Sequence, residues 1–240
     1  MTNSLVIIPT FNEKENISKI IAAVFRQPTD FHVLVVDDNS PDGTAEIVRE
    51  LHDQYPEKLF LLERKGKLGL GTAYIAGFHW GLDRGYDYLF EMDADFSHNP
   101  EDLNRMKAVL QNGSCDLVVG SRYVKGGKVS NWPWDRIMLS YGASLYVRLI
   151  TWMPVKDPTA GFVGYRRKVL ESIPLDRITF VGYAFQIEMK FSAHRRGFRI
   201  KEIPITFVDR VEGTSKLSTS IVHEAVFGVL SMRAKQIFGS

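Results

Sequence analysis

The tripeptide Asp93-Ala94-Asp95 contains the residues of this chain best suited to chemistry. It follows an apolar run that predicts a buried strand. Two carboxylates one residue apart at the end of a strand suit a hard divalent cation such as Mg²⁺ or Mn²⁺, which proteins bind through one or two carboxylates and share with substrate phosphates. We therefore predict a metal site at this pair, with Asp95 on the metal and Asp93 on either the metal or the ribose of a bound nucleotide; the alternative is a surface turn with capping carboxylates.

Polar clusters also follow three other predicted strands, at residues 9–13, 37–40 and 121–123. Ligands of an open parallel sheet bind at the carboxyl ends of its strands, so these clusters and the aspartate pair should meet at one edge. A single residue such as Asp38 would more often be a helix cap. Four clusters in equivalent positions predict one shared binding site.

The elements that must position these clusters alternate along the chain. Because the predicted strands are continuously apolar, they should be buried on both faces, which is typical of an α/β fold with a mainly parallel sheet and helices on each side. The predicted strands are residues 5–8, 31–36, 59–62, 88–92, 117–120, 162–165 and 201–207, and the predicted helices are residues 13–25, 44–51, 74–82, 136–153 and 221–238.

Composition limits the class of protein. The 240 residues are 45% hydrophobic, which fits one domain with a large core. Thirty basic and 28 acidic side chains give a net charge of +2, so there is no general attraction to nucleic acid. The single cysteine, Cys115, excludes an intrachain disulfide and fits a reducing compartment. We expect neither a signal peptide nor a membrane-spanning helix, because no apolar run reaches about 18 residues.

Two other motifs have weaker claims to chemistry. The glycine-rich segment at residues 67–73 is not a dinucleotide-binding loop, because the third glycine of such a loop is replaced by Tyr74. It predicts the start of a helix, on which Gly77 and Gly81 allow close packing against the sheet or a ligand. Glu188 lies in a predicted helix, where a role as general base and a surface or capping role are both open.

Basic side chains that suit phosphates occur in two places. Arg122 and Arg136 follow the fifth predicted strand, and guanidinium groups bind phosphate through paired hydrogen bonds. A polar loop at residues 209–216 contains two more cations, Arg210 and Lys216, which could close over a diphosphate. The alternative for this loop is a charged surface turn.

The predicted helix at residues 136–153 is apolar on nearly all sides. Its polar residues form one row: Arg136, Ser140, Ser144 and Arg148. A helix this apolar is normally buried in a core. The alternative is insertion into a membrane interface, with nearby tryptophans at the level of the headgroups. The final predicted helix faces the same choice, and a partner's transmembrane segment is a third candidate to cover it.

Six motifs in order resemble the family 2 glycosyltransferases of the GT-A fold, and among them the dolichyl- or polyprenyl-phosphate mannose synthases. One motif alone would be weak, but six with ordinary spacing over residues 5–216 are specific. They are Ile8-Pro9-Thr10-Phe11-Asn12-Glu13, Val35-Val36-Asp37-Asp38-Asn39-Ser40-Pro41-Asp42-Gly43-Thr44, Gly69-Leu70-Gly71-Thr72-Ala73-Tyr74, Met92-Asp93-Ala94-Asp95-Phe96-Ser97-His98, Gly120-Ser121-Arg122-Tyr123 and Asp157-Pro158-Thr159-Ala160-Gly161-Phe162.

The resemblance implies a role for each matching residue. The metal would be held by Asp93 and Asp95, and Ser97 stands where some relatives have a glutamine ligand. The implied catalytic residues are Asp95, Arg122 and Arg136, and the acceptor phosphate would be bound by Arg122, Arg136 and Ser140. The implied nucleotide-sugar contacts are Pro9, Phe11, Glu13, Val36, Asp38, Asp93, Ala94, Asp95, Arg210 and Lys216.

The implied reaction is the inverting transfer of mannose from GDP-mannose to a polyprenyl or dolichyl monophosphate, with Mg²⁺ or Mn²⁺ as cofactor. The resemblance further implies one GT-A domain with a nucleotide-sugar half at residues 1–121, an acceptor half at 122–216 and an amphipathic helix at 217–240. We expect a peripheral protein on the cytoplasmic face of a membrane, which it reaches through its own helices or a small transmembrane partner.

Three other functions stay open at this point. The first uses UDP-glucose with the same lipid acceptor, because recognition of the base is partly by backbone and the sequence discriminates poorly. The second is a glycosyltransferase with a soluble acceptor. The third is a catalytically silent nucleotide-binding or scaffold subunit, which the intact aspartate and arginine pairs disfavour.

Overall fold

The computed structural model describes residues 4–209 and 228–233. Most strands of this region form one large sheet, and two short strands form a second sheet. In chain order the strands are β1 (Ser4–Thr10), β2 (His32–Asp37), β3 (Leu59–Glu63), β4 (Tyr88–Glu91), β5 (Leu117–Ser121), β6 (Lys128–Ser130), β7 (Val163–Arg166), β8 (Ile200–Pro204) and β9 (Thr206–Val208).

The large sheet has the strand order β3-β2-β1-β4-β7-β5-β8. It is parallel except at β7, which runs antiparallel to both of its neighbours. The predicted mainly parallel α/β fold is therefore confirmed. The single late strand predicted at residues 201–207 is wrong in detail, because β8 ends at Pro204 and β9 pairs with β6 in the small sheet. Proline lacks the N–H that would continue a strand ladder.

The helices predicted at residues 13–25, 44–51, 74–82 and 136–153 are present with shifted ends, and further helices without a predicted range lie at residues 102–111, 167–172 and 183–195. The first begins at Ile17 rather than residue 13, after a turn closed by the carbonyl of Glu13. Of the predicted final helix, residues 228–233 are described and are helical; the rest lies outside the described residues. The helices are α1 (Ile17–Phe25), α2 (Thr44–Gln54), α3 (Leu70–Asp83), α4 (Asp102–Gln111), α5 (Trp134–Thr151), α6 (Arg167–Ser172) and α7 (Tyr183–Arg195), with a 3₁₀ turn at Leu175–Arg177.

Apolar clusters cover both faces of the large sheet. Val6 and Ile8 of β1 point into the cluster formed with α1, α2 and α4. Leu5 and Ile7 point into the opposite cluster, which contains α3, α6 and α7. This alternation explains why the strands read as continuously apolar, and it places the polar strand ends at the rim of a rigid, doubly covered sheet.

Helix α3 lies unusually close to the sheet because of two glycines on its inner face. A Cβ added at Gly77 would lie 2.6 Å from Cγ2 of Ile7, and one added at Gly81 would lie 2.6 Å from Cδ2 of Leu89. Of the two roles left open for these glycines, close packing against the sheet is therefore the one that the structure supports.

We expect Gly77→Ala to lower the free energy of unfolding by about 1–3 kcal/mol, because the new methyl group overpacks the contact with Ile7. Gly142→Ala in α5 is the matched control, since no atom lies within 4 Å of its added Cβ. That control should raise stability by about 0.5–1 kcal/mol through helix propensity. Urea unfolding of the two variants measures both effects, and equal stabilities would contradict the packing argument.

Candidate active site

The sheet register brings the first polar clusters to one edge. Thr10 at the end of β1 pairs with Asp37 at the end of β2. Ile7 of β1 pairs with Glu91 at the end of β4, so the chain that leaves β4 enters the same edge two residues before Asp93. The clusters after β1, β2 and β4 therefore lie at one edge of the sheet, as the sequence predicted.

Asp37 ties the first two loops of this edge together. Its carboxylate accepts hydrogen bonds from Thr10 Oγ1 at 2.8 Å and from the Ser40 N–H at 2.8 Å. Ser40 Oγ donates to Asp37 at 2.6 Å and accepts the N–H of Asn12 at 3.0 Å. Asp37 is fully buried, so its role is to fix the loops rather than to contact a ligand.

The predicted nucleotide-binding residues lie around these fixed loops. Pro9 and Val36 are sheet partners, and Val36 is buried in the core. Asp38 forms an ion pair with Arg64 and accepts the N–H of Leu68 at 3.3 Å. Arg64 also donates to Thr72 Oγ1 and to the carbonyl oxygen of Gly69, so Asp38 holds the glycine-rich entry of α3.

Two further predicted nucleotide contacts lie on the loop after β1. Lys67 Nζ lies 4.6 Å from the ring centroid of Phe11, which places a cation on this ring. The N–H of Glu13 donates to Thr44 Oγ1 at 3.1 Å, and its carboxylate accepts from Asn16. These bonds join the β1 loop to the start of α2.

The aspartate pair lies in a tight turn after β4. The Asp93 side chain is 34% exposed, and Asp95 is buried and accepts the N–H of Ser97 at 3.0 Å. Phe96, which lies between Asp95 and Ser97, has a left-handed backbone with φ of 60°. Ala94 is buried beneath the turn. The turn thus presents one partly open carboxylate and one that its own backbone orients.

This donor set fits a shared divalent cation rather than an all-protein metal site. Among the described residues no group of three or more His, Cys, Asp or Glu side chains is arranged for a metal. The remaining ligands would be phosphate oxygens and water, as is usual for Mg²⁺. Ser97 stands where some relatives have a glutamine metal ligand. Its Oγ is buried and has no hydrogen-bond partner within the described residues.

His98 lies between the aspartate turn and the acceptor side. Its Nδ1 accepts the N–H of Asp93 at 3.3 Å, and its ring stacks on Phe162 at 4.8 Å. Burial lowers the pKa of His98, while the charges of Asp93 and Asp95 raise it and that of Arg122 lowers it. The His98 ring also lies 5.6 Å from the ring of Phe207, whose centroid is 5.6 Å from Cζ of Arg122, so His98 and Phe207 join the aspartate turn to Arg122.

A buried polar network that the sequence did not predict lies beneath the turn. Glu91 accepts from Gln186 Nε2 at 2.7 Å and from the Tyr165 hydroxyl at 3.3 Å. Lys190 Nζ donates to the carbonyl oxygen of Ala160 at 2.7 Å and to Gln186. Burial raises the pKa of Glu91 to about 8 and lowers that of Lys190 to about 8. The network connects β4, α7 and the loop at residues 157–161.

Arg122 at the end of β5 is paired with Asp157, whose partnership the sequence did not predict. Asp157 is fully buried and accepts Arg122 Nη2 at 2.6 Å, Nε at 2.8 Å and its backbone N–H at 2.9 Å. Thr159 Oγ1 accepts Arg122 Nη2 at 2.9 Å. The acidic residue of the loop motif at 157–161 is the available sequence signal, because a buried carboxylate requires a cation nearby.

The other predicted acceptor residues lie on the first turns of α5. Arg136 Nη1 donates to Asp209 at 2.9 Å. Ser140 Oγ accepts the hydroxyl of Tyr123 at 2.7 Å, and Tyr123 directly follows Arg122. The structure therefore brings Arg122, Arg136 and Ser140 together at the junction of β5 and α5.

On an ordinary surface helix the apolar side faces the protein and the polar side faces solvent, and in α5 this arrangement is reversed. Its polar row faces the protein: Ser144 is buried, and Arg136 and Ser140 bond to other segments. The side chains of its outer face are apolar and exposed: Trp134, Met138, Leu139, Tyr141, Leu145 and Leu149, followed by Trp152 after the helix. Burial in the core, the usual fate of such a helix, is therefore not its arrangement.

The remaining predicted site residues either lie outside the described region or have structural contacts. Arg210 and Lys216 lie outside the described residues. Glu188 accepts the N–H groups of Thr179 and Phe180, so it anchors the loop that precedes α7. No helix of the described region is long and apolar enough to cross a membrane.

Curated relatives match this chain over most of its length. A polyprenol monophosphomannose synthase of Mycolicibacterium smegmatis is 49% identical, over 94% of this chain and 85% of the relative. An undecaprenyl-phosphate mannosyltransferase of Micrococcus luteus is 48% identical, over 94% of this chain and 91% of the relative.

Solved structures share the fold at low sequence identity. A glucosyl-3-phosphoglycerate synthase from Mycobacterium tuberculosis, in complex with Mn²⁺, UDP and glucosyl-3-phosphoglycerate, has a TM-score of 0.67 at 18% identity, covering 96% of this chain and 79% of the other. A mannosyltransferase from Pyrobaculum calidifontis, in complex with GDP-Man and Mn²⁺, has a TM-score of 0.60 at 18% identity, covering 99% and 76%.

The family assignment follows from sequence and fold together. The sequence model of glycosyl transferase family 2 matches residues 5–173. The two mannosyltransferase relatives are nearly half identical to this chain, and the sheet and helices have the GT-A arrangement of the solved neighbours. The chain belongs to glycosyl transferase family 2.

Proposed function

We propose that this enzyme transfers mannose from GDP-mannose to a polyprenyl monophosphate, with inversion at the anomeric carbon. The observation that carries the proposal is that His98 and Phe207 join the aspartate turn to Arg122, in a chain nearly half identical to two polyprenyl-phosphate mannosyltransferases. The UDP-glucose alternative keeps the same site and differs only in the donor.

The aspartate side of the site serves the donor. Asp93 and Asp95 would hold a divalent cation, Mg²⁺ or Mn²⁺, that the nucleotide-sugar diphosphate would share. The cation neutralises charge on the leaving nucleotide diphosphate when bound. Asp95 is held in place by the Ser97 N–H, and the solved neighbours crystallised with Mn²⁺ support a divalent metal in this fold.

The arginine side of the site serves the acceptor. A phosphate monoester has a second pKa of about 6, so it is largely dianionic at neutral pH. It can therefore attack the anomeric carbon without a strong general base. The work of Arg122 and Arg136 is to hold this dianion in line with the anomeric carbon. The bonds of Glu188 to the loop before α7 fit this mechanism, since no general base is needed there.

The exposed apolar face of α5 serves the membrane. Its side chains lie on one side of the helix directly beside the acceptor arginines, so they can enter the lipid interface where a polyprenyl phosphate presents its headgroup. Arg233 lies 5.0 Å from the ring centroid of Trp152 and adds a cation at this border. We propose a peripheral enzyme at the cytoplasmic face; the rival for this surface is the transmembrane segment of a small partner.

A transfer assay tests the function. The purified chain is given radiolabelled GDP-mannose or UDP-glucose, a polyprenyl phosphate in detergent, and Mg²⁺, Mn²⁺ or EDTA. Label should reach the lipid from GDP-mannose alone and only when a divalent cation is present. Label from UDP-glucose alone would replace the donor, and donor binding without any lipid labelling would favour a soluble acceptor or a silent subunit.

Asp95→Asn should reduce transfer at least about a hundredfold, because the variant keeps the shape of the side chain and removes the charge that holds the metal. Its melting temperature should stay near that of the wild type, since the side chain lies at a strand end. Asp53→Asn, at an exposed position of α2, is the control and should be fully active. Retained activity in Asp95→Asn would remove the metal assignment.

Leu139→Glu combined with Leu149→Glu should abolish flotation with vesicles of anionic phospholipid, because both leucines are about two-thirds exposed on the outer face of α5. Gln54→Glu with Gln111→Glu is the matched control: it adds the same two charges at exposed positions on other helices and should float like the wild type. Equal flotation of both double variants would argue against this face as the membrane contact.

A further inference from the structure

Trp132 lies in the segment between β6 and α5 and contacts both acceptor arginines. Its ring centroid is 4.1 Å from Cζ of Arg136 and 5.5 Å from Cζ of Arg122. The two guanidinium groups come from different elements, the end of β5 and the first turn of α5. One indole ring is therefore the common surface on which they rest.

The ring adds a second attraction for both arginines. Arg122 is paired with Asp157 and Arg136 with Asp209, and the negative face of the indole ring attracts both guanidinium groups as well. Phe207 keeps the indole in place through an edge contact with a centroid separation of 5.4 Å, and its own ring lies 5.6 Å from Cζ of Arg122. The arginine pair is thus held by an aromatic support.

Two donors at this support lack acceptors. Nε1 of Trp132 and Nε of Arg136 are buried, and neither has a hydrogen-bond partner within the described parts of the chain. Buried polar groups are normally satisfied, so a pair of orphan N–H groups beside two cations points to a ligand that supplies acceptor oxygens. A phosphate monoester supplies several acceptor oxygens and a negative charge that suits two neighbouring guanidinium groups.

We propose that Trp132 is a further binding residue of the acceptor-phosphate site. Its ring holds Arg122 and Arg136 side by side, and its indole N–H donates a hydrogen bond to the phosphate. This inference rests on the proposed function, since it assigns the arginine pair to the phosphate of the acceptor. It adds a residue that senses only the acceptor and leaves the donor side of the site untouched.

The test compares Trp132→Phe, which loses the N–H, with Trp132→Leu, which loses the N–H and the ring. The acceptor is a short prenyl phosphate that dissolves in buffer, so membrane contact does not enter. Trp132→Phe should raise the acceptor KM about tenfold, the loss of one hydrogen bond to a charged group. Trp132→Leu should raise it further, to about fiftyfold, while the KM for GDP-mannose stays within twofold in both variants.

Trp134→Leu is the matched control. This tryptophan lies two residues away, is 71% exposed, and should leave the soluble-acceptor KM unchanged. An acceptor KM within twofold of the wild type in Trp132→Phe or Trp132→Leu would overturn the proposal, and so would an equal rise in the KM for GDP-mannose. If Trp132→Leu fails to fold, Trp132→Phe decides the question by itself.

A binding measurement separates this inference from the proposed function. Calorimetric titration of geranyl phosphate into the wild type and Trp132→Phe, without donor, should give about tenfold weaker binding in the variant. If the wild type transfers no sugar to lipid but binding still depends on Trp132, the proposed function fails and the phosphate site stands. Equal affinities in the two proteins would overturn the inference even if transfer is observed.

Discussion

The ion pair between Arg122 and Asp157 is the interaction on which the acceptor side of the structure depends. A buried carboxylate is costly unless its charge and lone pairs are satisfied, and Asp157 meets this condition with three hydrogen bonds from one arginine. Glu202 of β8 in turn accepts the N–H groups of Lys156 and Asp157. The arginine is thereby locked to β5 and β8 before any ligand binds.

The same pair connects to the donor side through buried polar groups. Lys190 holds the carbonyl of Ala160, three residues after Asp157, and reaches Glu91 at the end of β4 through Gln186. Burying these groups costs free energy that an apolar core would not require. What the arrangement achieves is a fixed geometry between the turn that carries Asp93 and the loop that orients Arg122, and in-line transfer needs such a geometry.

Helix α5 completes the site by reversing the usual rule of amphipathic packing. Its polar row supplies Arg136 and Ser140 to the cleft, so its apolar side chains must face outward. In water an exposed apolar face of this size is unfavourable, and a lipid interface removes that cost. Under the proposed function, one helix therefore couples phosphate binding to the surface from which a lipid phosphate would come.

The sequence by itself determined the fold class, the strand ends that carry the site and the family. Continuous apolar runs and polar strand ends are local patterns, so Asp93, Asp95 and Arg122 could be found without coordinates. The sequence could not decide whether α5 is buried or exposed, because an apolar helix has the same residue pattern in both cases.

Only the tertiary structure decided which distant residues act on each other. Asp157 lies 35 residues from Arg122, and Arg64 lies 26 residues from Asp38, so no local spacing reveals either pair. The inward face of α5, the network at Glu91 and the contact of Trp132 with both arginines likewise depend on how strands and helices pack. Hydrophobic periodicity indicates whether each side of a segment is buried or exposed, whereas the residue that a side chain contacts depends on the folded chain.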